Sequence, residues 1–304
     1  MNKRKGTIII DIEKSRFEIK PLSSLTLRDR LTFDLEHGDD LHERTKAIEE
    51  KKLKEEDKRI QLLEVYIDMI QRTCSFFGGV PLEEVMTINA LDLQDLYEKH
   101  LKDYVTVKSV TERTQSIMIG DRLFWLPEDE LTATANVKFV EFITAKELGR
   151  SFKDSPSDKL TTISYLCTIF LRPEGEEFSA KFIDPFSDRY ELMLDIPLQF
   201  ALQVAEWYDS WSIYIQKNFS VFEKSKGKKK GADMSPLIEK WGWLSFMNYV
   251  VQHGTIFYKS NGQSNLDNVK QANLYEVLIW ASCEKDHADI MSIYYDNMDR
   301  SIKK

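Results

Sequence analysis

A ten-residue pattern is written twice in this chain. Phe17-x-Ile19-x-Pro21-x-x-x-Leu25-Thr26 and Leu123-x-Trp125-x-Pro127-x-x-x-Leu131-Thr132 match position for position. Apolar residues lead into each copy, Ile8 to Ile12 in the first and Ile117 to Ile119 in the second. Alternation with a period of two predicts a strand, the proline ends it, and Leu-Thr opens a helix-like stretch. Two halves of similar plan, about 1–110 and 111–222, are therefore expected, each a small β-hairpin feeding helices. The paired positions are apolar or turn-forming in both copies, which makes the repeat scaffold and sends the search for function to the surfaces around it.

Composition narrows the fold further. An apolar fraction of 42%, with 17 Phe, 12 Tyr and 6 Trp among 304 residues, supplies enough burial for a packed chain. Only 12 Gly and 8 Pro disfavour an all-β sandwich with its many tight turns. The expected class is mainly α (α+β): a helical domain with two small β-hairpins, plus a small C-terminal helical unit. A net charge of -8 argues against a protein that coats nucleic acid. Cys74, Cys167 and Cys283 are odd in number, far apart and set in apolar helical patterns, so they read as small buried hydrophobes in a reducing compartment. The basic start, Lys3-Arg4-Lys5, is followed by only Ile8-Ile9-Ile10, too short for a signal peptide, and no run approaches the roughly 18 apolar residues of a membrane span. A soluble, cytosolic protein with no membrane contact is expected.

Along the chain, a hairpin turn is expected at Glu13-Lys14-Ser15-Arg16, and Thr26 with Asp29 forms a helix-start capping pattern. Residues Glu36 to Arg59 are almost all charged with both signs interleaved, the pattern of a solvated helix or an insertion. Ile60, Leu63, Ile67, Ile70, Cys74 and Phe77 recur at helical spacing and predict a core-facing stripe, widened by Leu62, Tyr66 and Met69. Asp92 is placed to cap the helix that carries Leu93, Leu96 and Leu101. Phe200, Val204, Tyr208, Trp211, Ile215 and Phe219 form the clearest stripe in the chain, again core. Composition then shifts at the Lys-rich linker, residues 223–235, which marks a domain boundary between residues 1–222 and a small helical unit, residues 236–304. Three helices are expected there: one through Trp241, Leu244 and Val251, a second opened by an Asn273/Glu276 capping pair, and a third through Ile290, Tyr294 and Met298.

No cluster reads as chemistry. The histidines, His37, His42, His100, His253 and His287, are scattered, and no phosphate loop, nucleophile elbow or Cys-x-x-Cys pair occurs. No catalytic residue, cofactor or metal ligand is therefore assigned, and the chain is expected not to be an enzyme. Candidate partner-binding residues are the C-terminal aromatics Trp241, Trp243, Tyr275 and Trp280 and the linker lysines Lys228, Lys229 and Lys230. The two indoles of Trp241-Gly242-Trp243 are two residues apart, about 160° around one helix, so both can hardly be core: one is a contact residue, or the two pack at the edge of the unit. The linker holds five lysines between Lys224 and Lys230, able to neutralise phosphates, but without interleaved aromatics to stack bases.

The segments Phe124-Trp125-Leu126-Pro127 to Leu131-Thr132, Leu171-Arg172-Pro173-Glu174, the aromatic helix Phe200 to Trp211, Glu239-Lys240-Trp241-Gly242-Trp243 and Asn273-Leu274-Tyr275-Glu276-Val277-Leu278 together resemble tail-region proteins of tailed bacteriophages infecting Bacteroidota, a group described as tail assembly chaperones. The similarity spans residues 115 to 285; the charged segment Glu36 to Arg59 departs from it. The resemblance implies a non-enzymatic morphogenesis protein in the host cytoplasm. Such a protein binds the helical tape measure protein, keeps it soluble and assists polymerisation of the tail tube, with oligomers possible. The alternative is a structural or packaged virion protein that contacts other virion proteins, or DNA through the lysine run.

Overall fold

The computed structural model describes residues 7–106, 114–126, 133–134, 136–151, 155–222, 235–259 and 262–302. The chain is mainly helical with two small antiparallel hairpins. In chain order, β1 (Ile8–Ile12) and β2 (Ser15–Ile19) are followed by α1 (Leu27–Phe33), α2 (Asp39–Glu50), α3 (Glu55–Gly78), α4 (Leu82–Val85), α5 (Ala90–Leu96) and α6 (Lys102–Val105). Then come β3 (Ser116–Ile119), β4 (Arg122–Trp125), α7 (Phe139–Ser151), α8 (Pro156–Phe170), α9 (Asp188–Leu194), α10 (Leu198–Asn218), α11 (Ser235–Trp241), α12 (Trp243–His253), α13 (Asn265–Gln271) and α14 (Leu274–Ile302). Two compact units form. The first comprises Met1–Thr114, Phe152–Thr168 and Ala180–Val204; the second comprises Gln115–Ser151, Ile169–Ser179 and Ala205–Lys304. Residues 236–304, expected to stand apart, thus share a compact unit with β3, β4 and α7. Most of the lysine linker lies outside the described residues.

In the first unit, Glu13-Lys14 makes the hairpin turn and Ser15 is already the first residue of β2. Alternation buries Phe17 and Ile19 completely while Ile8 and Ile9 stay exposed. Thr26 and Asp29 close a capping box: Asp29 N donates to Thr26 Oγ1 at 3.1 Å and Thr26 N to Asp29 Oδ2 at 3.0 Å. Four residues on, the buried Arg30 donates through Nε and Nη2 to Asp34 Oδ1 and through Nη1 to the Tyr104 carbonyl. Burial raises the Asp34 carboxyl above its ordinary value, and the Arg30 charge opposes that shift.

Two expectations for this unit are corrected. The core face of α3 consists of Val65, Ile70, Thr73 and Cys74, flanked by Leu62 and Met69, whereas Ile60, Leu63, Tyr66 and Ile67 are exposed. The expected stripe is buried in its C-terminal half, at Ile70 and Cys74, and exposed in its N-terminal half, where α2 packs on the side of Leu62, Val65 and Met69 instead. The cap of α5 is Asn89, whose Oδ1 accepts from Leu91 N, and Asp92 sits in the first turn instead. The charged segment is largely helical. Leu41 and Ile48 of α2 pack on Val65, and across the same helix pair Arg72 joins Asp68 and Asp40 at 2.8 and 3.2 Å, with Arg44 also paired to Asp68. Gly79, with φ of 69°, takes the left-handed conformation that ends α3.

Each unit contains one further device, identical in both. In the first, Thr26 and Pro197 form a one-residue antiparallel bridge in which Leu27 N donates to the Ile196 carbonyl at 3.0 Å and Leu198 N to the Leu25 carbonyl at 2.8 Å. In the second, Lys138 and Asn273 do the same, with Phe139 N to Ala272 O at 2.9 Å and Leu274 N to Val137 O at 3.0 Å. All four donors are the first residues of helices, α1, α10, α7 and α14. The residues on either side of every bridge position are apolar and buried: Leu25 and Leu27, Ile196 and Leu198, Val137 and Phe139, Ala272 and Leu274.

The second unit corrects the reading of the repeat. Leu123 and Trp125, which align with the fully buried Phe17 and Ile19, are exposed, and Phe124 between them is buried. Pro127, Leu131 and Thr132 lie outside the described residues. The α10 stripe is core along its whole length, from Phe200 to Phe219. Trp211 is fully buried and donates Nε1 to Thr134 Oγ1 at 2.9 Å. Cys74 and Cys167 are buried as expected, while Cys283 is exposed; all three are free thiols. Burial pushes the Cys74 thiol up to about 12. Replacing Thr26 with Ala removes one half of the capping box and is expected to lower stability by about 1 kcal/mol. Thr26→Ser keeps the hydroxyl and should cost much less, a contrast that urea unfolding curves of the two variants would resolve.

Candidate functional site

Trp241 and Trp243 are positioned by the polar face of α7. Trp241 ends α11 and Trp243 begins α12, so the expected single helix is broken at Gly242. Gly242 has φ of 82°, and a Cβ there would meet Arg150 Nη1 and Glu147 Oε1, each at 2.6 Å. These two α7 side chains hold the break. The Glu147 carboxylate accepts from Trp243 N and Leu244 N, the unpaired donors at the start of α12, the latter at 3.2 Å. Arg150 donates to the carbonyls of Ile238 and Glu239 in α11, at 3.0 and 3.4 Å. A negative charge thus sits at a helix N-terminus and a positive one near a C-terminus, each complementing the partial charge it meets.

The break separates the two indoles. Trp243 is half-buried, with ring centroids 5.2 Å from Phe142 and 5.7 Å from Phe222. Trp241 is 65% exposed, with the Lys240 ammonium over its ring. Tyr275 is exposed and touches Phe219 by its edge, and Trp280 is half-buried between Tyr249 and Phe257. The predicted residues therefore divide into packed anchors, Trp243 and Trp280, and surface aromatics, Trp241 and Tyr275. Lys228, Lys229 and Lys230 lie outside the described residues.

Sequence reasoning missed Lys146. Its ammonium lies 5.5, 5.0 and 5.6 Å from the ring centroids of Phe142, Tyr208 and Trp243 and donates to Ser212 Oγ at 2.8 Å. Burial pushes this amine down from 10.5 to about 8, opposed by the charge of Asp209. The i, i+4 spacing of Phe142 and Lys146 was the available signal; the partners Tyr208, Ser212 and Trp243 come from other helices and leave no local pattern.

The longest helix carries a second surface. The buried face of α14 begins apolar, with Leu274, Val277, Leu278 and Ala281, and then becomes polar, with Lys285, Asp289 and Ser292. Lys285 Nζ donates to Asp289 Oδ2 at 2.9 Å within that buried face. Toward the C-terminal end the exposed side is rich in apolar residues: Ile290, Ile293, Tyr294 and Met298 are all more than 40% exposed, on the side that also carries Tyr275 and Ile279, with exposed Cys283 and Asp286 between the two groups. Ile290, Tyr294 and Met298 were expected on a separate third helix; they lie instead on the outer face of one continuous helix, α14. The ordinary rule of amphipathic burial is inverted here.

Among the described residues, no group of three or more His, Cys, Asp or Glu side chains is placed to hold a metal ion, and no helix is long and apolar enough to cross a membrane. Comparisons with family models, curated proteins and solved structures gave no match.

Two expectations follow for this surface. Gly242→Ala must place a Cβ at positive φ against two charged side chains, and is expected to cost more than about 1 kcal/mol in chemical denaturation. For Lys146, the folded amine releases its proton near 8 and the unfolded one near 10.5. Between those values the unfolded chain binds more protons, so stability rises with pH across that window, by about 1–3 kcal/mol. Lys146→Met should flatten that slope; an unchanged slope in the variant would locate the titration elsewhere.

Proposed function

We propose that this chain is a non-enzymatic bacteriophage morphogenesis protein, similar to a tail assembly chaperone, that holds an amphipathic helix of the tape measure protein during tail tube assembly. The observation that carries this reading is the exposed apolar face of α14. Ile290, Ile293, Tyr294 and Met298 follow one another at helical spacing, and Tyr275 and Ile279 lie on the same side about four and three turns before them. A stripe of this kind is matched by the apolar face of another helix, with side chains three and four apart as anchors. Leaving it bare costs solubility, which favours a partner that covers it. Support also comes from the fixed placement of Trp241 beside Gly242, since an exposed indole on a rigid junction loses little entropy on binding. A tape measure protein is a long helical chain, and shielding its apolar stripes would keep it soluble until the tube forms around it.

The proposal is tested by co-expression with the very long helical reading frame expected beside this gene. The two products should co-purify. Ile290→Glu together with Tyr294→Glu should abolish co-purification while leaving thermal unfolding within a few degrees of the parent, because both side chains are exposed. Mass spectrometry of purified particles should miss the protein. Its recovery from particles at stoichiometric amounts would favour a virion component instead, and co-purification untouched by the double variant would remove α14 from the interface.

A further inference from the structure

The second hairpin turns its apolar repeat positions outward. Met118, Leu123 and Trp125 are 59, 37 and 45% exposed, and the strand register sets Met118 beside Leu123. This shelf runs into a pocket of about 730 Å³, for Trp125 is part of the pocket lining together with Leu126, Phe170 and Phe178. A concave site with an aromatic wall and a few placed charges is the usual form of a binding site.

One wall of the pocket is built and neutral. Glu141 is fully buried, and Arg172 donates to both of its carboxylate oxygens, Nη1 at 2.9 Å and Nη2 at 3.0 Å. Burial raises the Glu141 carboxyl, and the guanidinium opposes that shift. The Arg172 carbonyl in turn accepts from Trp125 N at 3.0 Å, which ties β4 to this wall. Neither charge of the pair is therefore left over for a ligand. The rest of the lining is unbalanced: Glu174, Glu176 and Glu177 stand against Lys138, and Arg122 reaches Glu176 alone, at 3.2 Å. Glu174 and Glu177 remain as exposed carboxylates at the edge of an aromatic wall.

We propose that this pocket receives an arginine side chain from a protein partner. Its guanidinium lies against the Trp125 ring and the carboxylates of Glu174 and Glu177, and the apolar residues flanking that arginine cover Met118 and Leu123. Arginine fits better than lysine because a planar cation stacks on an indole and offers donors to two carboxylates at once. The site is separate from the apolar face of α14 and stands on its own observations.

The test uses the full chain labelled with fluorotryptophan, the Trp125 signal being identified by its loss in Trp125→Phe. Fluorine NMR follows titration with acetyl-Leu-Arg-Leu-Leu-amide, with the same peptide carrying citrulline in place of arginine, and with free argininamide. The arginine peptide should move the Trp125 signal saturably and bind about five- to tenfold more tightly than the citrulline peptide. Glu174→Gln with Glu177→Gln should erase that preference, as should high salt. Equal binding of the two peptides would overturn the proposal in favour of a purely apolar groove. Argininamide binding as tightly as the peptide would overturn it in favour of a small cation, and an unmoved Trp125 signal would remove the pocket altogether.

Discussion

Both compact units depend on helices that start in pairs. The first turn of an α-helix leaves backbone N–H groups without partners inside the helix, and a buried start must find acceptors elsewhere. Here each start finds one in the chain that leads into another start. The first amide of α1 uses the carbonyl before Pro197, and that of α10 uses the carbonyl before Thr26; α7 and α14 repeat the exchange around Lys138 and Asn273. The apolar-x-apolar triplets around the bridges send buried side chains to either side, so one short contact both satisfies the donors and places four core residues. The middle residue is free to vary, and it does: Thr, Pro, Lys and Asn occupy the four places. Proline is tolerated there because the bridge uses the amides that follow, not its own missing one.

The duplication visible in the sequence was thus real in its first copy and displaced in meaning in its second. A strand alternates faces at every residue, so a shift of one position exchanges inside for outside. Phe17 and Ile19 face inward, whereas the aligned Leu123 and Trp125 face outward because Phe124 takes the buried place. The pattern of letters recorded a strand in both copies and could not record which face was covered. The bridged helix starts are a truer duplication, and no window of sequence contains one, since their halves come from distant parts of the chain. Local devices were legible: the Thr26 capping box, the Asn273 cap on Tyr275 N and Glu276 N, and the α10 stripe all follow from neighbours a few residues apart. Where an element depended on a distant side chain, legibility failed. Gly242 breaks a helix because Glu147 and Arg150 are there to satisfy both ends, and nothing near Trp241 and Trp243 announces them.

Three pairs of interior charges are held at close range. Arg30 with Asp34, Arg172 with Glu141 and Lys285 with Asp289 each make bonds of about 3 Å inside buried surroundings. Such pairs contribute little net stability over apolar residues of the same volume, yet losing one partner leaves a buried charge uncompensated. They act more as constraints on geometry than as sources of stability. Lys146 is different: among the described residues no carboxylate forms an ion pair with it, and three aromatic rings and a hydroxyl take that place. Its lowered proton affinity follows from burial that these softer partners do not fully offset.

This distinction bears on where function lies. A buried ion pair on α14 and an exposed apolar stripe on its other side oppose what folding alone selects, and the outward Leu123 and Trp125 of β4 do the same on a smaller scale. Folding has no use for these inversions: each could be relieved by exchanging polar for apolar residues without disturbing a single backbone hydrogen bond. In the readings proposed above each inversion is covered by a partner, and the chemistry of each face constrains what can cover it: an apolar helix suits the outer face of α14, and a cationic side chain suits the carboxylates beside Trp125.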